Sequence, residues 1–328
     1  MNRPVEDSQV QPIPIEEFLS RPQVLVDIFI RLSQNKFILI AKGGQNTPRE
    51  ALEKYKAKNI DVLYIRIEDY HKLLLTTIQN AAAVLGENKL SAASRFNVIH
   101  GALEAVYKEM KDVGFDEQTF SHAKLVNHAT LSFVKESPNI MSIIEKFANL
   151  KSDELGHALM VSMVSVMIGI KHEWEKPATL EKLGLGGFLH DIGKTKLPTE
   201  VLKKRFDMMN RDEKTIYVSH VEVGVQTLAQ AKSIPEDVLL IVAQHHERVD
   251  GSGFPKGIKE FQISPLAKVV SLANAFVDRL LEEKHPHSPQ SALRVFQDLQ
   301  MHCAGQYNRD AMKALSKCLE ITEGKMSA

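Results

Sequence analysis

From Ile140 to its end the sequence reads as helix after helix, and each loop that interrupts it follows shortly after a histidine. Apolar residues recur there at helical rather than alternating spacing, with loops at about 176–178, 195–198 and 250–265, so this half of the chain is expected to be all-α. The longest apolar run, 158–170, is broken only by Ser162 and Ser165. It is short of the roughly 20 residues that span a bilayer and predicts a buried helix. Met160, Met163 and Met167 fall at helical spacing within it and read as core packing. Asn210 with Glu213 three residues on has the form of a capping box, and Pro235 suits the first turn of a helix.

The preceding region has a different grain. Residues 1–13, with Pro4 and Pro12, are expected to be a flexible lead. Segments 24–31, 37–41 and 62–67 are rich in β-branched and aromatic residues and read as strands. Between the last two, Thr47 is an expected N-cap ahead of Pro48, with Glu50 completing a capping box for a helix to about Lys58. The expected organisation is a small α/β domain over 14–67, connecting helices over 68–136 with breaks at Gly86 and Gly114, and an all-helical domain over 137–328. The fold class is therefore mainly α, and 328 residues suit two domains better than one.

Charge narrows the partners. Forty-one basic residues balance forty-one acidic ones, which argues against a nucleic-acid duplex or an anionic membrane as the partner of the whole surface. Cys303 and Cys318 form neither a CxxC pair nor a disulfide framework, and the N-terminal residues lack a basic start followed by an apolar core. The expectation is a cytoplasmic protein without a membrane span.

Of thirteen histidines, six lie between His157 and His246. The sharpest motif is Leu189-His190-Asp191-Ile192-Gly193-Lys194, which closes the apolar segment 180–188. Adjacent His and Asp offer an imidazole nitrogen and a carboxylate to one metal centre, and the carboxylate can bridge to a second. Lys194 sets a cation beside them, useful toward a phosphate. Asp153 and His157, four apart, share a helical face. His220 follows, and then His245-His246 run into a loop, Glu247 to Pro255, that contains Asp250, Gly251, Gly253, Phe254 and Pro255. A lone buried histidine is more often a hydrogen-bonded core residue than a ligand, but this ordered set is hard to obtain by chance. His71, His100, His122, His128, His172, His285, His287 and His302 lack such company and are read as ordinary surface or core residues. Gly184, Gly186 and Gly187 follow no strand, so they read as close packing rather than a nucleotide loop.

With these residues in hand the sequence resembles the HD-GYP family, the cyclic di-GMP phosphodiesterase branch of the HD superfamily. The likeness runs from about Asp153 through HDIGKTKLP, SHVEVG, QHHERVDGSGFPKG and ISPLAKVVSLANAF. The resemblance implies that His157, His190, Asp191, His220, His245 and His246 are metal ligands, with Asp191 bridging. It also puts Asp153 where some members carry a Glu that helps hold a third metal. It further implies two divalent ions, iron first, with manganese or zinc as alternatives. The family's last ligand is an Asp; Asn274 stands there, with Asp278 one turn later as a compensating carboxylate. Phe254 replaces the signature tyrosine, and Glu282 to His287 replaces a basic segment that resembles a phosphate clamp.

The function expected from this likeness is a phosphodiesterase in which a hydroxide bridging two metals attacks a phosphodiester, with Lys194, Arg248 and Lys256 as phosphate contacts. The departures keep a second reading open, a catalytically weak metal-containing module that binds a cyclic dinucleotide or a partner signalling protein. Expected partners are a cyclic dinucleotide or other phosphodiester, and a diguanylate cyclase-type protein at the DGSGFP loop. The helices of 68–136 are candidates for packing on the second domain or for a homodimer contact.

Overall fold

A computed structural model describes residues 6–19, 22–70, 72, 92–137, 140–144, 154–174, 176–283, 285 and 288–320. Two compact units emerge, Met1–Asn80 with Ala105–Gly114, and Ala81–Glu104 with Phe115–Ala328.

The first unit is a four-stranded antiparallel sheet with two helices. Its strands are β1 (Val10–Pro14), β2 (Ile28–Ser33), β3 (Lys36–Ala41) and β4 (Val62–Arg66), in the order β1-β4-β2-β3. Alternation along the strands sends Ile13, Ile28, Ile30, Leu63 and Ile65 to one face, where they bury with Phe18 of α1 (Ile15–Leu19) and Leu52 of α2 (Arg49–Lys56). Two expectations are corrected here. Residues 10–13 are not part of a flexible lead: they form β1, paired with β4 from Val10 opposite Arg66 to Pro14 opposite Val62. Pro12 and Pro14 are accommodated because β1 lies at the sheet edge, where a strand tolerates residues without an N–H donor. Thr47 does not cap α2. Pro48 holds the N-cap position, and no side-chain capping bond forms.

The second unit is helical throughout its described residues. A helix at its start, α3 (Ala92–Asp112), gives its residues from Ala105 onward to the first unit. Gly114, at φ 97°, ends that stretch, and Asp116 caps α4 (Glu117–Glu136) by accepting from the N–H groups of Gln118 and Thr119, each at 2.9 Å. Gly86 lies outside the described residues. After α5 (Ile140–Ile144) comes α6 (Glu154–Lys171), the apolar helix, buried from Ala158 to Gly169. It meets the length and hydropathy of a membrane span, but its neighbours cover it: α4, α7 (Pro177–Leu189), α12 (Pro265–Glu282) and α14 (Arg309–Cys318) all pack on it. Met160, Met163 and Met167 are in that core. Shorter helices complete the unit: α8 (Thr199–Leu202), α9 (Arg211–Val218), α10 (His220–Leu228), α11 (Glu236–Gln244) and α13 (Pro289–His302). The capping box at Asn210 and Glu213 is present, and Pro235 is the N-cap of α11.

Close approach is bought with glycine, at Gly187 and Gly193 among other positions. A Cβ on Gly187 would lie 2.7 Å from the Cα of Ser162, so α7 and α6 touch backbone to backbone. One on Gly193 would lie 1.9 Å from the carbonyl oxygen of His220, so the turn after α7 rests directly on the start of α10.

Candidate metal centre

Three histidines reach the centre by the same local device. His190 follows α7 and His245 follows α11 as their C-cap residues, while His220 comes two residues after α9. The last carbonyls of a helix have no intrahelical donor. Each imidazole satisfies one of them three residues back: Nδ1 of His190 donates to Gly187 O at 2.7 Å, that of His220 to Tyr217 O at 2.5 Å and that of His245 to Val242 O at 2.8 Å. A carbonyl only accepts, so Nδ1 carries the proton and Nε2 is left with a lone pair.

Those lone pairs converge on Asp191. Its Oδ2 lies 3.1 Å from His190 Nε2 and 3.9 Å from His157 Nε2, while its Oδ1 lies 3.4 Å from His220 Nε2 and 3.6 Å from His245 Nε2. Two donor groups result, His157–His190–Asp191 and Asp191–His220–His245–His246, with Asp191 common to both. Asn274 of α12 joins the first, its Oδ1 3.0 Å from His157 Nε2. Asp153 lies outside the described residues.

The electrostatics are those of a site built for cations. His190, His220 and His245 are fully buried and His246 nearly so. Burial pushes the His245 imidazole down to about 3, and burial followed by its histidine neighbours puts His246 well below its ordinary value. Burial lowers His157 and His220 too. His157, His220, His245 and His246 are therefore neutral at pH 7, the form that binds metal. Burial alone would raise the Asp191 carboxyl, but the adjacent His190 imidazole and the Lys194 ammonium outweigh it and hold the group well below the carboxylate range. At this centre Asp191 Oδ1 and His246 Nε2 are buried without a hydrogen-bond partner among the described residues. The Nε2 atoms of His220 and His245, 3.4 Å apart, are opposed lone pairs with no proton to share, and those of His157 and His190 lie 3.3 Å apart. Orphaned acceptors packed this way are costly alone and are satisfied together by divalent ions. The residues present fit such ions.

The proposed phosphate contacts fare unequally. Lys194 Nζ donates to Asp191 Oδ2 at 2.6 Å and lies 5.3 Å from the Tyr217 ring, so it neutralises the shared carboxylate rather than standing free. Burial would lower this amine, but Asp191 outweighs burial and raises it. Arg248 is committed elsewhere: it donates to Ser271 Oγ at 2.6 Å and to Glu247 O, and stacks over Tyr307 at 4.8 Å. It braces the loop from the inside. Lys256 is exposed.

Glu247, quoted in the motif without a role, is 2 % exposed and accepts from the N–H groups of Lys256 and Ile258, closing the loop that contains Asp250, Gly251 and Gly253. Asp250 turns that loop by accepting from Ser252 N at 2.9 Å. Phe254 lays its ring 4.3 Å from His246 and stacks on Phe206 at 5.3 Å and 20°. Tyr217 adds a third ring, 5.4 Å from Phe206 and 5.1 Å from His220. Sequence reasoning missed Phe206 and Tyr217, since no motif or spacing ties either to a histidine. In the acidic stretch Glu283 pairs with Arg294 at 2.7 Å and Glu282 with Arg205 at 3.9 Å, while Lys284, Pro286 and His287 lie outside the described residues.

Comparison with known proteins identifies the family and the fold. The profile of the HD domain matches residues 140–316, more than half of the chain. A cyclic di-GMP phosphodiesterase of Pseudomonas aeruginosa is 28% identical over 60% of this chain and 50% of its own length. One from Thermotoga maritima is 31% identical over 41% of this chain and 37% of its own. A 3′3′-cGAMP-specific phosphodiesterase of Vibrio cholerae is 25% identical over 63% and 44%. The chain thus spans half or less of the length of these curated relatives. An HDG"Y"P protein from Bdellovibrio bacteriovorus has the same fold, with a TM-score of 0.64 over 95% of this chain and all of that one at 22% identity.

Proposed function

Because the chain belongs to the HD-domain family, we propose that it is a metal-dependent phosphodiesterase acting on cyclic dinucleotides. One observation carries the reading: a single carboxylate, Asp191, is shared by two groups of histidine donors whose lone pairs face one another. Two divalent ions bound there, iron first, with manganese or zinc also suited to the ligands, would polarise a phosphoryl oxygen and lower the pKa of water.

The chain's own residues do the rest. Lys194 holds the Asp191 carboxylate in place between the two groups. Backbone carbonyls keep Nε2 of His190, His220 and His245 unprotonated. Phe254 and Phe206 form an aromatic shelf beside His246, and Phe206 is 38 % exposed. A nucleobase has a π-face to lay on that shelf, which favours a nucleotide over a small phosphate ester. Lys256, exposed in the loop, is a cation available to a substrate phosphate. The names of the curated relatives support the same substrate class.

A second reading, a module that binds without turnover, is favoured by the neutral Asn274 and by Glu282 and Glu283 in place of basic residues. Protein purified without air should be analysed for metal per chain and assayed on bis(p-nitrophenyl) phosphate, cyclic di-GMP and 3′3′-cGAMP. Turnover of a dinucleotide supports the proposal. Bound metal with no turnover of any diester would hand the case to the binding module. Phe206→Ala should raise KM for the dinucleotide about 10-fold and leave metal content unchanged, since a stacked base contributes about 1–3 kcal/mol.

A further inference from the structure

His157 differs from the other inward histidines in how it must be held. It stands near the start of α6, and among the described residues its hydrogen-bond contacts are made by Nε2 and none by Nδ1 to a backbone carbonyl. What faces Nδ1 is a carboxylate: Asp278 Oδ1, at 3.5 Å. The other oxygen of that carboxylate, Oδ2, accepts from Asn274 Nδ2 at 3.2 Å. Asn274 and Asp278 are four apart on α12 and share one face of it.

From this arrangement we infer that Asp278 is the positioning residue of the His157–His190–Asp191–Asn274 group, and that it supplies the negative charge Asn274 lacks. Its two oxygens settle two choices at once. The carboxylate charge 3.5 Å from Nδ1 favours the proton of His157 on that nitrogen and leaves Nε2 as a lone pair toward the centre. Accepting from the amide NH2 of Asn274 turns the Asn274 carbonyl oxygen inward, 3.0 Å from His157 Nε2. Without Asp278 the amide has no reason to prefer that face, and the imidazole is free to take the other tautomer and donate to Asn274 instead of offering a lone pair. Asp278 is half-exposed, so its charge acts through these two neighbours and not as a buried ion. The inference rests on the proposed function only in that the group holds a metal.

Cobalt(II) is the probe, titrated into metal-free full-length protein and followed by its visible absorption and by metal content. Wild type should show uptake at both groups. Asp278→Ala should weaken uptake at one of them about 10–100-fold, the range of lost outer-sphere partners, and leave the other as it was. Asp278→Asn, which keeps the shape, should weaken the same step, because an amide cannot accept from both neighbours and carries no charge. Adding Asn274→Asp to Asp278→Ala should restore uptake, since a carboxylate ligand needs no amide to be turned. A wild type with two uptake steps and an Asp278→Ala variant identical to it, or equal weakening at both groups, or no rescue by Asn274→Asp, would overturn the inference alone. A wild type that takes up no metal would overturn the proposed function as well.

Discussion

Asp191 is the residue both donor groups share, and its two oxygens face different histidines. Asp191→Ala should therefore abolish metal uptake at both groups and bring diester hydrolysis to background. His246→Ala should spare the His157–His190–Asp191 group and keep about half of the wild-type metal. Elemental analysis of the two purified variants distinguishes them, and equal metal contents would contradict a shared carboxylate. Gly193 belongs to the same scale. A methyl there would meet His220 O at 1.9 Å and Gly224 N at 2.7 Å, both backbone atoms that cannot step aside. Gly193→Ala should cost about 3 kcal/mol or more, read from urea unfolding, and should lower metal content because it displaces His220. HDIGK was read for its ligands and its cation; the fold adds that its glycine is as constrained as its histidine.

At the level of elements, helix ends aim the ligands. α7, α9 and α11 each finish near a histidine that takes up one of the helix's own last carbonyls. The start of α9 matters for the same reason, since that helix ends at the turn into His220. Its capping box joins Asn210 and Glu213 by bonds of 2.9 and 3.0 Å. Asn210→Ala should cost about 1 kcal/mol in urea unfolding, with metal content unchanged at saturating metal. The capping box at Asn210 was legible because Asn, Glu and the following periodicity agree. The one expected at Thr47 was not formed, because Pro48 is the residue that stands at the cap. β1 was illegible for a physical reason: edge strands admit proline, so its sequence looks like that of a loop.

For the molecule as a whole, the two units carry different titration behaviour. In the first unit Tyr70 is buried and donates to Asp112 at 2.7 Å, and burial, then that bond, raise the phenol above its ordinary 10.0. Below pH 10 the phenol is protonated in both folded and unfolded chains. As pH rises further the unfolded chain releases a proton that the folded unit retains, so stability is lost in the alkaline direction. Thermal melts of the first unit should fall from pH 10 upward, and Tyr70→Phe should flatten that fall; an unchanged alkaline slope would exclude Tyr70 as its source. The sequence by itself determined the helical class of the second unit, the order of His157, His190, Asp191, His220, His245 and His246, and the burial of 158–170, because periodicity and motif spacing are local properties of the chain. Tertiary structure decided what those residues could do together. It brought the separate helices to one carboxylate and paired Lys194 with Asp191. It also turned Arg248 inward to Ser271, placed Phe206 against Phe254, and set Asp278 against both His157 and Asn274. Each of those contacts joins different elements or depends on how a side chain turns within its own, and such choices are settled only when helices pack.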